Sequence, residues 1–571
     1  MRHWVLLIGC AGLAAATVPI WPRPRDIVSG NGTARLAGSF SVSLDGCDTL
    51  EAPHDLLDAV ADLKRRIRDD RLAPLEPGRG ERRRAAIVTS PVIDRLTLRI
   101  DGGGCADTSI AAEAVTPVEK RRALERYVLD VTKGGEASIT ATGALGLLRG
   151  MQSFAQLVFT LPSHHPSPHP QQTIDAYDAI RFIDHVPLHV VDEPAFGWRA
   201  FLLDTSRNRY DVVSILRLLD TMSMVKFSVF HWHVTDSHSW PLEVPAAPEL
   251  ASAGAYDASA IYTVADVAEI TSFANARGID VVLEIDKPGH TTSVAESHPE
   301  LIACREAEPW TMYANEPPAG QLRIGSNATR DFVKTVLDDY LPRLTSSYFA
   351  TGGDEINGRC YLDDRPTREL MAERGVNVST LLQEFVAQSH DTVRRHRLTP
   401  VVWEELLSID LASDAIVLPW RSNKTVRAAL NRGLRIVHAQ ASHFYLDCGQ
   451  GGWLGRARSS DSWCGALKSW HHMLAFDPLV NVSAAEAHLF LGAQTSLWSE
   501  QTDGGTLDSV AWPRAAALTE LTWHGYGSDL GDALTRLHAL RYRMVARGVR
   551  AAPLQPEWCA LRPGQCDLPS S

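Results

Sequence analysis

The chain has 571 residues, of which 45% are hydrophobic, 22% charged and 7% aromatic. That mixture supplies apolar mass for a large core and lacks the bias of disordered, collagen-like or coiled-coil chains. A formal charge of −12 gives a nucleic-acid partner no electrostatic footprint, so a neutral substrate fits better.

Residues 1–17 open with Arg2 and His3, continue as an apolar run from Trp4 to Ala16 and end on small residues, Ala14-Ala15-Ala16. This is the shape of a cleavable signal peptide. About 13 apolar residues fall short of the roughly 20 that span a bilayer. A secreted protein without a membrane span after signal removal is therefore expected, with a vacuolar or lysosome-like compartment as the variant destination. Cys10 lies inside the signal, which leaves Cys47, Cys105, Cys304, Cys360, Cys448, Cys464, Cys559 and Cys566. An even set in a secreted chain reads as disulfides, and 105 pairings stay open, with Cys448 to Cys464 and Cys559 to Cys566 the local choices. No C-x-x-C or H-E-x-x-H pattern accompanies them, so neither a metal nor a cofactor is implied. Sequons at Asn31, Asn327, Asn377, Asn423 and Asn481 are candidate glycosylation sites.

Residues 18–175 read as a small α/β accessory domain that includes a propeptide segment. Short alternating strands (Leu96 to Ile100, Tyr127 to Val131, Ala137 to Ala141) lead into an amphipathic helix from about Leu145 to Phe159. The basic run Arg82 to Arg84 reads as a solvated loop open to proteolytic processing. A Pro, His and Ser-rich linker, Leu161 to Gln172, follows.

Residues 190–571 carry apolar runs separated by helix-period segments. Eight stand out: Phe201 to Asp204, Phe227 to Val234, Asp280 to Ile285, Tyr348 to Gly352, Pro400 to Trp403, Ala415 to Trp420, Arg435 to Ala439 and Ala493 to Trp498. Fully buried parallel strands look like this, and eight βα units make a TIM barrel, whose active site lies where the strands end. The residues that close these runs are carboxylates and aromatics: Asp204, Asp236, Asp286, Asp354-Glu355, Glu404-Glu405 and Glu500, with Trp403, Trp420, Trp498 and Trp240. Aromatic faces among carboxylates, without a glycine-rich phosphate loop, suit a sugar that stacks its C–H faces and hydrogen-bonds through its hydroxyls.

The adjacent pair Asp354-Glu355 is the sharpest feature. Neighbours on a strand point to opposite faces, so they cannot flank a bond like the two carboxylates of ordinary glycosidases unless the strand end bends. A different division of labour follows: Glu355 protonates the leaving oxygen while Asp354 orients a nucleophile carried by the substrate.

Asp204-Thr-Ser-Arg207, His231-Trp-His-Val-Thr-Asp236, Ser239-Trp-Pro-Leu-Glu243, Pro288-Gly-His290, Gly352-Gly-Asp-Glu355, Tyr445-Leu-Asp-Cys448 and Trp498-Ser-Glu500 together resemble glycoside hydrolase family 20 β-N-acetylhexosaminidases of the fungal secreted type, from about residue 36 to the C-terminus. The resemblance implies an exo-acting enzyme in which the substrate's 2-acetamido oxygen attacks C1, with retention through an oxazolinium. It implies Glu355 as acid and then base, Asp354 on the acetamido N–H and Tyr445 on its oxygen. Trp403, Trp420 and Trp498 would wall the sugar, Arg199 and Glu500 grip its outer hydroxyls, and Asp204 and His290 relay to Glu355, raising its pKa. It also implies bridges Cys47–Cys105, Cys304–Cys360, Cys448–Cys464 and Cys559–Cys566, and a homodimer. Lys287 departs from the family's common neutral residue and would add a charge near the rim. The competing classes are a carbohydrate-binding protein without turnover and an endo-acting chitinase.

Overall fold

A computed structural model describes residues 17–48, 50–161, 179–456, 460–480 and 482–568. Residues 1–16 of the expected signal segment 1–17, most of the linker and Asn481 lie outside the described residues.

The N-terminal unit is a mixed six-stranded sheet: β1 Asp26–Leu44, β2 Val92–Ile100, β3 Tyr127–Val131, β4 Ala137–Ala141, β5 Val158–Leu161 and β6 Ile180–Asp192, in the order β1-β2-β4-β3-β6-β5. Its last strand lies beyond residue 175, so the accessory sheet extends to Asp192. The helix Ala144–Leu157 is buried on nearly every residue, because it is wedged between the sheet and the catalytic unit and has no solvent face. Gly146 and Gly150 allow that approach: a Cβ on either would fall 2.5 Å from Arg126 O or Ile139 Cγ2. A second helix, His54–Asp69, buries Leu56, Val60, Leu63 and Ile67 at helical spacing. The basic run is not an open loop. It forms a short helical turn, Glu81–Arg83, and the start of a helix, and Arg83 donates to Asp184 of β6 at 2.9 Å.

The catalytic unit is a closed barrel of eight parallel strands, Trp198–Asp204, Val229–Thr235, Asp280–Ile285, Tyr348–Gly352, Thr399–Trp403, Ile416–Leu418, Arg435–His438 and Phe490–Leu497. Each overlaps one of the eight apolar runs, although the first and eighth strands begin three residues before theirs, at Trp198 and Phe490. Alternate residues divide the core as strand geometry requires. Phe201, Leu203, Phe230 and Trp232 face the surrounding helices, while Ala200, Leu202, Val229, Val282 and Ala350 fill the interior. Among the described residues no helix is long and apolar enough to cross a membrane.

Two buried charge clusters join the units beneath the barrel. Glu125 faces Arg149 at 2.9 Å and also pairs with Arg199. Asp192 accepts from Trp523 Nε1 at 2.8 Å and meets Lys226 Nζ at 3.1 Å. The four disulfides pair as the resemblance implied. Cys304–Cys360 ties the long loop after the third barrel strand to the helix following the fourth. Asn31, Asn327, Asn377 and Asn423 are exposed.

Candidate active site

The fourth barrel strand ends in a bend. Gly352 and Gly353 have φ of +65° and +97°, and Glu355 itself has φ of +51°. A Cβ on Gly352 would lie 1.7 Å from Asp286 Oδ1, so a side chain at this position is excluded. The bend cancels strand alternation and brings the pair together: His290 Nε2 lies 3.6 Å from Asp354 and 3.5 Å from Glu355. The other ring nitrogen of His290 is 3.2 Å from Asp236, so the relay runs from Asp236 through His290 to Glu355.

Asp204 is not part of it. Its carboxylate accepts from the backbone N–H groups of Ser206, Arg207 and Ser499 at 2.9, 3.2 and 3.1 Å, pinning the loops after the first and eighth strands. Asp236 takes the place expected for Asp204, because it is the aspartate that faces the histidine.

The charges are unevenly held. Burial and the neighbouring Asp286 push Asp354 well above the usual carboxylate range. Burial also lifts Glu355, but His290, Asn315 and Arg207 outweigh it and hold that carboxyl below its ordinary value, the reverse of the raised value expected for a resting acid. His290 is raised despite its burial by Asp236 and Asp354. In the free protein the surroundings therefore favour the protonated form of Asp354 and the ionised form of Glu355.

Trp403, Trp498, Tyr445 and Trp420 form a continuous wall. Trp403 and Trp498 have ring centroids 5.9 Å apart, Tyr445 lies 6.2 Å from Trp498, and Trp420 stacks on Tyr445 at 6.2 Å and 10°. Trp420 Nε1 donates to Glu405 at 3.2 Å, whose carboxyl is pushed up to about 7 by burial and Asp354. Trp463, 62% exposed, stands edge-on to Trp420 and Tyr445 at the mouth. Trp240 is not in this wall; it is buried in the outer core and donates to Leu242 O.

Arg199 does not reach the aromatic wall. It opens the first barrel strand, fully buried against Glu125, and a seven-residue strand at about 3.3 Å per residue separates its ends by roughly 20 Å. Arg207 is the guanidinium at the rim. It lies 2.7 Å from Asp236 and 2.5 Å from Glu316, with its guanidinium carbon 5.1 Å from the Trp498 ring centre. Glu500, raised by burial with Glu316 and Asp447 nearby, faces this arginine. Asp447, buried and raised to about 7, completes that side. Lys287 does not reach the rim either: Nζ donates to Ile285 O and lies over Phe349, with burial lowering its pKa to about 7. Arg207, Asp236 and Asp447 all stood in the motif stretches, but spacing alone gave no sign of which way each points.

One expected outcome separates the two arginines. Arg199→Met should leave a buried Glu125 short of a partner and cost about 3–5 kcal/mol of stability with KM unchanged. Arg207→Lys should raise KM several-fold with a smaller change in melting temperature. Thermal melts beside steady-state kinetics check both.

A closed (β/α)8 barrel with an α/β domain docked below it, and paired carboxylates on an aromatic rim, define a glycoside hydrolase. Residues 196–526 match the family model for the catalytic domain of glycosyl hydrolase family 20, and residues 20–157 match the model described as beta-acetyl hexosaminidase like. The chain is 33% identical over 471 residues to a beta-hexosaminidase of Arthroderma benhamiae, covering 78% of this chain and 74% of that one. It is 31% identical over 483 residues to the chitooligosaccharidolytic beta-N-acetylglucosaminidase of Ostrinia furnacalis, covering 79% and 77%. The fold is also that of the family 20 exo beta-N-acetylglucosaminidase of Vibrio harveyi solved with N-acetylglucosamine: TM-score 0.72, 20% identity, 95% of this chain and 80% of that chain. The chain belongs to glycosyl hydrolase family 20, and it is an enzyme of the β-N-acetylhexosaminidase class.

Proposed function

We propose that this enzyme is secreted and removes terminal non-reducing N-acetylhexosamine residues from chitooligosaccharides or glycoconjugates, with retention and through an oxazolinium formed by the substrate's own acetamido group. The observation that carries this reading is the convergence of Asp354 and Glu355 on one His290 nitrogen beside the Tyr445 wall. Only one carboxylate is then needed for proton transfer, leaving the other to hold the nucleophile.

Substrate would redistribute the resting proton. An acetamido N–H donating to Asp354 favours its ionised form. A leaving group that covers Glu355 strips water from it and favours its protonated form. His290, within reach of both, is the bridge. Asp354 then stabilises the positive charge developing on the acetamido group while Tyr445 hydrogen-bonds its oxygen, and Glu355 gives its proton to the leaving oxygen and later takes one from water. The Trp403, Trp420 and Trp498 faces stack on the sugar, and Arg207 with Glu500 and Asp447 would bind its outer hydroxyls and close the pocket to internal chain positions. Four disulfides support the secreted setting.

A thiazoline mimic of the oxazolinium should bind at least 10²-fold more tightly than free N-acetylglucosamine, with chromogenic N-acetylglucosaminide and N-acetylgalactosaminide as substrates. Equal inhibition by the two would reject substrate assistance. Release of internal fragments from a chitooligosaccharide would reject exo action.

A further inference from the structure

We propose that Glu284, inside the barrel, is a positioning residue that couples the aromatic wall to the acid relay. TIM-barrel interiors are filled mainly by branched apolar side chains. Here His231, His233, Glu284 and Gln494, all fully buried, project into the interior directly below the pocket. His231 and His233 are two apart on the second strand, and Glu284 is the cross-strand partner of His233, so these side chains share one face. A buried ionised group is costly unless neighbours compensate it, and this one sits where local convention is broken next to the chemistry.

The contacts form a line. Trp403 Nε1 donates to Glu284 at 2.9 Å. The same carboxylate pairs with His231 and lies 3.5 Å from His233 Nδ1. His233 Nε2 is 2.8 Å from Asp236, the carboxylate behind His290. The sugar-stacking indole is thus connected through Glu284 and His233 to the group that sets the charge beside Glu355. The charged and titratable groups facing Glu284 are His231 and His233 from the second strand and Asp286 and Lys287 from its own strand end. Trp403 comes from the fifth strand, and Gln494 of the eighth holds His231 at 2.9 Å. The two imidazoles overcome burial and hold the Glu284 carboxyl far below its ordinary range, which favours the anion.

The coupling has a sign. Removing the indole N–H leaves the Glu284 anion less compensated, which makes the potential at Glu355 more negative and raises the pH at which the acid is lost. Removing the anion does the opposite. The test is the alkaline limb of kcat/KM on an N-acetylglucosaminide. Trp403→Phe, which keeps a ring in the wall, should shift the limb to higher pH by several tenths of a unit. Glu284→Gln, which keeps an acceptor for the indole, should shift it to lower pH and cut kcat about tenfold with KM within twofold. In the Glu284→Gln background the Trp403→Phe shift should vanish. An unmoved limb in Trp403→Phe, or a shift that persists in the double variant, overturns the proposal. If Glu284→Gln does not accumulate as folded protein, the Trp403→Phe limb decides alone. The inference rests on Glu355 as the acid; that assignment is tested separately by Glu355→Gln, so an inert Glu355→Gln beside an unmoved Trp403→Phe limb would sink the coupling alone.

Discussion

Glu355→Gln should lower kcat on a chitooligosaccharide by about 10²–10⁴-fold. The substitution keeps volume and a hydrogen-bonding group near His290 but removes the carboxyl that would hand a proton to the leaving oxygen. The loss should be much smaller on an aryl glycoside whose phenolate leaves without protonation, because only the second, water-activating step then needs the carboxylate. Equal losses on both substrates would mean that the residue acts by binding and not by proton transfer. The free enzyme's pH dependence has a definite direction. A general acid works only while protonated, so activity falls as pH rises through the Glu355 pKa. With that carboxyl held below its ordinary value by His290, the alkaline limb of kcat/KM lies on the acid side. His290→Asn removes the cation, leaves burial to act, and should move the limb to higher pH while lowering kcat. A limb that stays in place would show that His290 carries no charge beside the acid.

Asp354→Ala is expected to cost about 10²–10³-fold in kcat, comparable to the removal of one preorganised stabilising group from a transition state. It should weaken the thiazoline mimic far more than it weakens N-acetylglucosamine, since the charge it provides matters to the cationic ring and little to the neutral sugar. Asp286 makes this test stricter. It donates nothing to the substrate in this reading, but it accepts from Gly353 N–H at 2.8 Å and its charge opposes that of Asp354. Asp286→Asn should therefore ease ionisation of Asp354. Inhibition constants for the two sugars measured across the variants separate the roles; parallel weakening of both ligands in Asp354→Ala would place the residue outside the developing charge.

The barrel was legible because its strands are buried on both faces, which writes them as nearly continuous apolar runs such as Ala415 to Trp420. The accessory strand β1 was not, because Gly30, Gly32 and its many small and polar residues blur the alternation of a half-exposed strand. At the site, Asp354 and Glu355 were legible as a pair, but their convergence was not, since it depends on left-handed conformations at Gly352 and Gly353. Arg199 lies at the start of the first strand and Arg207 just past its end; the rule that barrel sites sit where strands end already favoured Arg207, and the assignment of Arg199 followed the resemblance instead. Asp204 and Asp236 both close strands; only the fold shows which one meets His290. The interior polarity at His231, His233 and Glu284 was in plain view, yet it read as part of a motif and not as a violation of barrel packing.

The charge clusters under the barrel bear on how such a protein can diversify. Arg199 and Lys226 belong to the barrel, while their anions come from the accessory unit, Glu125 from the end of the helix Val118–Leu124 and Asp192 from the end of β6. An unrelated neighbour in place of either half would strand these buried ions, so the barrel of this chain is not a free module for recombination. Novelty in substrate range has to come from the loops at the opposite end, where side chains change without disturbing the joint.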